Sequence, residues 1–160
     1  MEKKFLREQV LQQLARDLEQ VEQAARVAHE TATHEENIAE NKYDTLGLEA
    51  AYLAAGQARR AEAIRKAIAH WRKFQPCPYN ANKGIELGAL VCLLDSDNTQ
   101  QLLFLGPVGG SMKLVIGDEV VQVITNETPL GIAMLGKFEG DEFSLPIAQT
   151  TRHFEVLKVS

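Results

Sequence analysis

The chain has 160 residues, 45% of them hydrophobic, and a formal net charge of −5. That length suits one large domain or two small ones, since a single core becomes marginal well below about 100 residues. The acidic balance argues against broad adhesion to DNA or anionic lipid, and no stretch approaches the roughly 20 apolar residues of a membrane span. The start Met1-Glu2-Lys3-Lys4 lacks the apolar core of a signal peptide, and Cys77 and Cys92 lack metal-ligand spacing, so a cytoplasmic, reducing location is expected.

The first predicted element is a helix from about Lys4 to Glu36, the second a helix from about Leu46 to Phe74, both rich in Ala, Gln, Glu, Leu and Arg. Two heptad seams, Leu11-Leu14-Leu18-Val21-Ala25-Ala28-Ala32 and Gly47-Ala50-Ala54-Gln57-Ala61-Ile64-Ile68-Trp71, mirror each other about Tyr43. Alternating three- and four-residue spacing puts each set on one face, which predicts an antiparallel coiled-coil hairpin over residues 1–75 with its tip near 38–47. Leu14 pairs with Trp71 in this register and Ala28 with Gln57. The seam thins from leucine to alanine towards the tip, so the helices are expected to close into a slim finger, each arm roughly 45–50 Å long.

Residues 76–84 form a linker, because Pro76 and Pro78 remove backbone donors and Asn80, Asn82 and Gly84 favour turns. Strands are predicted for Glu86–Asp95, Gln101–Leu105, Lys113–Ile116, Val120–Thr125, Glu142–Leu145 and Phe154–Val159. Between the fourth and fifth, Thr128 as cap, Pro129 at the first helical position and Gly136 as the stop mark one short helix. The fold class is therefore α+β: a helical hairpin followed by a strand-rich domain over 85–160.

Several segments taken together resemble the Gre family of bacterial transcription elongation factors. Ile85-Glu86-Leu87-Gly88-Ala89-Leu90-Val91 is similar to the family's opening strand, and Asn126 to Lys137 resembles its Ser-Pro-Ile-Ala-x-Ala-Leu-Ile-Gly-Lys segment. Glu139-Gly140-Asp141-Glu142 and Phe154 to Val159 match its closing pattern, and Ala50-Ala51-Tyr52-Leu53-Ala54-Ala55 resembles the Ala-Glu-Tyr-His-Ala-Ala that follows its tip. The resemblance implies an FKBP-like C-terminal domain that binds RNA polymerase at the rim of the secondary channel, with the hairpin passing down the channel to the active centre. Glu127, Thr128 and Pro129 match the family's acid-Ser-Pro loop, which contacts that rim.

Family members that stimulate cleavage of backtracked RNA carry an Asp and, three residues later, a Glu at the tip. Magnesium prefers hard oxygen ligands, and two metals stabilise the attacking and leaving oxygens of the displacement. Counting back from Tyr52 puts that pair on Thr45 and Leu48, so Asp44 and Glu49 are each one residue away; a shorter alignment through Glu40-Asn41-Lys42-Tyr43 puts Glu36 and Glu40 there instead. Asp44 also suits the cap of the second helix, and the tip glutamates suit a solvated helix face.

Arg59, Arg60, Arg65 and Lys66 match a basic patch that faces nascent RNA in the family, or else pair with acids of the first helix. His29 and His34 are five residues apart and point in different directions on a helix, so they are read as solvated. The expected protein is an accessory factor, not an enzyme in its own right, with no cofactor beyond magnesium shared with the polymerase. It is expected to be a monomer, because an intramolecular hairpin already buries the seam, with no sequence-specific DNA binding. Three alternatives stand beside transcript cleavage: a channel regulator that does not cleave, an FKBP-like chaperone or prolyl isomerase, and a coiled coil that dimerises through its seam.

Overall fold

The computed structural model describes residues 1–34, residue 40 and residues 45–160. Two long helices come first, α1 (Lys3–Thr33) and α2 (Leu46–Lys73), then β1 (Leu90–Asp95), β2 (Gln100–Gly106), β3 (Lys113–Ile116), β4 (Glu119–Thr125), the short α3 (Pro129–Met134), β5 (Glu142–Ile147) and β6 (Thr150–Val159). The result is the expected α+β order. No helix among the described residues is long and apolar enough to cross a membrane. The chain divides into two compact units, Leu11–Ala69 on one side and Met1–Val10 with His70–Ser160 on the other.

In the helical unit the buried positions fall on the predicted seams. Leu14, Val21 and Ala28 are buried on α1 and Ala50 and Ala61 on α2, while Leu11, Leu18, Ala25, Ala54, Gln57, Ile64 and Ile68 are half-buried between them. An ion pair from Arg65 of α2 to Glu22 of α1 at 2.6 Å marks the register, within two residues of the predicted pairing. At the alanine-thin end Ala28 and Ala50 are 5% and 8% exposed, and a surface groove of about 670 Å³ runs beside the seam, with Ala24, Ala28 and Ala50 among its lining residues.

The second unit is built on a six-stranded sheet of order β3-β4-β2-β1-β6-β5, antiparallel throughout except for the parallel β2–β4 pair. Val91, Leu93, Leu103, Leu105, Ile124, Phe154 and Val156 form its core together with Met134 of α3. The alternate residue Phe104 lies against Trp71, the last seam residue of α2, with ring centroids 5.9 Å apart. Trp71 is fully buried, and its Nε1–H donates to the Val108 carbonyl at 3.0 Å. Only glycine fits beneath that indole, since a Cβ on Gly106 would lie 2.4 Å from the ring. Arg7 donates from Nε to the Trp71 carbonyl at 2.9 Å and from Nη2 to the Arg72 carbonyl at 2.6 Å, satisfying carbonyls that the last turn of α2 leaves open.

The first strand begins four residues later than its sequence pattern suggests. Ala89 N–H turns back to the Glu86 carbonyl, and Gly88 takes a φ of 93° while donating to the Leu105 carbonyl, so Glu86 to Gly88 form a turn ahead of β1. The last strand is longer than expected, because the first part of β6 pairs with the whole of β5, from Glu142–Glu155 to Ile147–Thr150.

Candidate functional site

The Glu127-Thr128-Pro129 loop sits between the end of β4 and the start of α3. Thr128 takes an extended conformation and caps the helix: its Oγ1 accepts from Gly131 N–H at 3.1 Å and donates to the Thr125 carbonyl at 2.8 Å. Pro129 fills the first helical position, where no donor is missed. Gly131 is forced by the same closeness, since a Cβ there would lie 1.9 Å from the Thr125 oxygen. These bonds fix the loop while leaving Glu127 and Pro129 exposed.

Beside the loop lies a groove of about 450 Å³, lined by Ser111, Gln122 and Ile124, by Thr128, Pro129 and Leu130, and by Leu145, Pro146, Ile147 and Ala148 of the β5–β6 turn. Ile147 is a large apolar side chain left 43% exposed in that lining, an arrangement that suits a protein surface rather than a small polar ligand. Sequence reading finds the loop but misses the β5–β6 turn facing it. The available signal was the apolar run Leu145-Pro146-Ile147 continuing past the predicted end of its strand.

At the hairpin end, Asp44 and Glu36 lie outside the described residues. Glu40 is exposed. Glu49 stands in the first turn of α2, where the helix dipole favours a carboxylate, and its Oε1 accepts from Thr45 Oγ1 at 3.0 Å. Its remaining lone pairs leave it able to bind a cation. No group of three or more His, Cys, Asp or Glu side chains among the described residues is placed to hold a metal ion.

Arg59, Arg60, Arg65 and Lys66 of α2 do not form one patch. Arg65 is engaged by Glu22 at 2.6 Å and Glu62 at 3.3 Å, with the Glu22 hydrogen bond foremost in raising its pKa. Arg59 and Lys66, seven residues apart, share an exposed face, and Arg60 lies about 100° round the helix from Arg59.

A further open groove of about 440 Å³ on the sheet unit is lined by residues including Asp95, Glu142, Ser144, His153 and Glu155. There Ser144 Oγ and His153 Nδ1 are 2.6 Å apart, and the Asp95 carboxylate is bound by Arg152 at 2.7 Å. This second arrangement has no counterpart in the sequence reading, because its residues come together only through the β1–β6–β5 register.

Solved structures that the chain resembles include the GreA factor homolog 1 (Gfh1) protein of Thermus thermophilus, at 18% identity over 94% of each chain with a TM-score of 0.38. Gfh1 of Thermus aquaticus aligns at 22% identity over 92% of each chain, TM-score 0.38. A GreA/GreB elongation factor from Nitrosomonas europaea aligns at 15% identity over 62% of this chain and 78% of its own, TM-score 0.37. No curated protein matches the chain. The family model for the C-terminal part of the GreA/GreB transcription elongation factors matches residues 80–160, which contain the whole sheet, the capped α3 loop and its groove. On that match, the chain belongs to the GreA/GreB family of transcription elongation factors.

Proposed function

We propose that the protein binds RNA polymerase at its secondary channel, holding the rim through Glu127, Thr128, Pro129 and the adjoining groove while the helical hairpin reaches the catalytic centre. The observation that carries this reading is the loop itself: Thr128 is locked by two hydrogen bonds, and the exposed Pro129 and Ile147 flank an apolar groove sized for protein side chains. Helix α1, with 31 residues, is about 46 Å long, far more than is needed to cover a small core. Arg59 and Lys66 present separated cations that nascent RNA would favour. In this role the protein is an accessory factor acting in the cytoplasm as a monomer.

At the tip, Asp44 and Glu49 are the acids that would help hold a magnesium ion shared with the polymerase, whose chemistry is activation of the attacking water during cleavage of backtracked RNA. A second reading, a channel regulator that does not promote cleavage, is favoured by the sequence of the tip, where Asp44 and Glu49 each stand one residue away from the positions of the cleaving acid pair. A cleavage assay on backtracked complexes separates the two. Stimulation that is lost in Asp44→Ala and Glu49→Gln supports the cleaving factor; binding to core polymerase with no stimulation by the parent protein supports the regulator. Failure to co-purify with core polymerase would remove both.

A further inference from the structure

The sheet ends in two free edges that differ in length and chemistry. At one end β3 has four residues and carries Lys113, the kind of charged side chain that guards an edge; at the other, β5 has six residues and no Lys or Arg. Ala148 and Gln149 make a two-residue turn from β5 to β6, so Ile147–Thr150 is a bonded pair and the pairs alternate from there. Phe143 and Leu145 therefore give their backbone groups to β6, whereas Glu142, Ser144 and Pro146 turn theirs outward. Pro146 agrees with this count, because its missing N–H falls on the open side and costs the ladder nothing. Among the described residues, no backbone hydrogen bond outside the ladder reaches Glu142, Ser144 or Pro146.

The two faces beside that edge have opposite characters. On one, Phe143 and Leu145 pack against the core and Ile147 is exposed. On the other, Glu142 stands directly opposite Glu155, and Ser144 opposite His153 with Oγ and Nδ1 2.6 Å apart. Like charges directly opposite each other in a ladder are destabilising. No ion pair among the described residues reaches either glutamate, and Arg152 on the same strand as Glu155 is committed to Asp95 at 2.7 Å.

We propose that β5 seats an extended segment of a partner protein as an added strand, matching the six residues of β5, with lysine or arginine at alternate positions beside Glu142 and apolar residues between them beside Phe143, Leu145 and Ile147. The outward N–H and C=O groups of Glu142 and Ser144 supply the bonds, and the alternation of side chains supplies the selection. A cation beside Glu142 and Glu155 offsets a repulsion that the chain itself leaves uncompensated. The same two carboxylates turn away nucleic acid, and they turn away β5 of a second copy, since each would bring more negative charge to the edge. The site belongs to the sheet unit alone and requires no contact with polymerase.

The test titrates the full chain into a fluorescein-labelled peptide, Val-Lys-Val-Arg-Val-Lys with blocked ends, at physiological ionic strength and follows anisotropy. Saturable one-to-one binding is expected, at least tenfold tighter than for the counterpart with glutamate at the basic positions. Ser144→Pro removes an outward N–H without changing charge and should weaken binding at least tenfold with unchanged circular dichroism. Glu142→Lys/Glu155→Lys should do the same, while Val115→Thr on β3 should bind as the parent does. Methylating alternate peptide nitrogens probes the bonds without touching the fold: the set that faces β5 should abolish binding and the opposite set should not. On saturation, hydrogen exchange at the Glu142 and Ser144 amides should slow at least tenfold. Absence of saturable binding would overturn the inference, and so would binding indifferent to Ser144→Pro and to both methylated peptides, which is attraction by charge alone. Protection of β3 in place of β5, displacement of the peptide by a single-stranded oligonucleotide, or protection of Glu142 and Ser144 that rises with the concentration of the free chain would overturn it as well.

Discussion

Asp95 ends β1 with a side chain 3% exposed, yet its carboxylate is well supplied with donors. The Thr99 N–H is the leading cause that holds its pKa below the ordinary 3.8; burial pushes the other way, and the Asp97 N–H and Arg152 add to the lowering. A folded-state pKa below the unfolded value means that the group stabilises the fold above pH 3.8 and that this contribution is lost as pH falls through the folded value. Asp95→Asn removes the titration. Urea unfolding between pH 6 and about pH 2 should therefore show the parent's midpoint falling more steeply below about pH 4 than the variant's. Equal slopes would mean that Asp95 does not drive the acid limb. A different residue stores strain: Ala148, in the β5–β6 turn, takes a φ of 54°. The left-handed region costs a residue with a Cβ about 1–2 kcal/mol, and hairpin turns reserve such positions for glycine. Ala148→Gly should raise stability by about 1 kcal/mol, read as a higher urea midpoint at constant slope. A fall in the midpoint would show that the methyl group's packing outweighs the strain.

At the scale of elements, the sequence disclosed what local periodicity encodes. Heptad spacing located both faces of the hairpin and its register, because buried positions on a helix repeat at 3.5 to 3.6 residues whatever they later pack against. Thr128, Pro129 and Gly136 bracketed α3 because capping chemistry is local. Residues that meet across long stretches of chain were not legible. Ile147 and Ala148 reach the Thr128 loop only through sheet order, and the Phe104–Trp71 contact joins β2 to the end of α2. Leu6 and Val10 extend the buried stripe of α1 ahead of the seam that starts at Leu11, and belong to the compact unit of the sheet. The groove beside the seam was hidden for another reason. Gln20, Val27, Leu46 and Leu53 lie outside the seam, and which such residues border a groove depends on how the two helices cross.

For the whole molecule, two units of unequal packing share one chain. The sheet unit buries Phe104, Leu93, Leu103, Leu105, Ile85 and Trp71 almost completely, whereas the helical unit depends on Leu14, Val21 and three alanines and leaves its groove open. Opening free energies follow buried apolar contact, so the two units should not exchange alike. Native-state hydrogen exchange is expected to show amides of residues 12–33 and 46–69 exchanging through a sub-global opening of lower free energy than the opening that frees β1, β2 and β6. A partner that binds only the closed hairpin shifts that opening by mass action. At a free partner concentration of 100 times Kd the stabilisation is about 2.7 kcal/mol, which is about a hundredfold slowing of exchange by amides around residues 20–31 and 46–53. Saturating core polymerase should produce such slowing there. Uniform exchange across both units in the free protein would show instead that the hairpin and the sheet open as one.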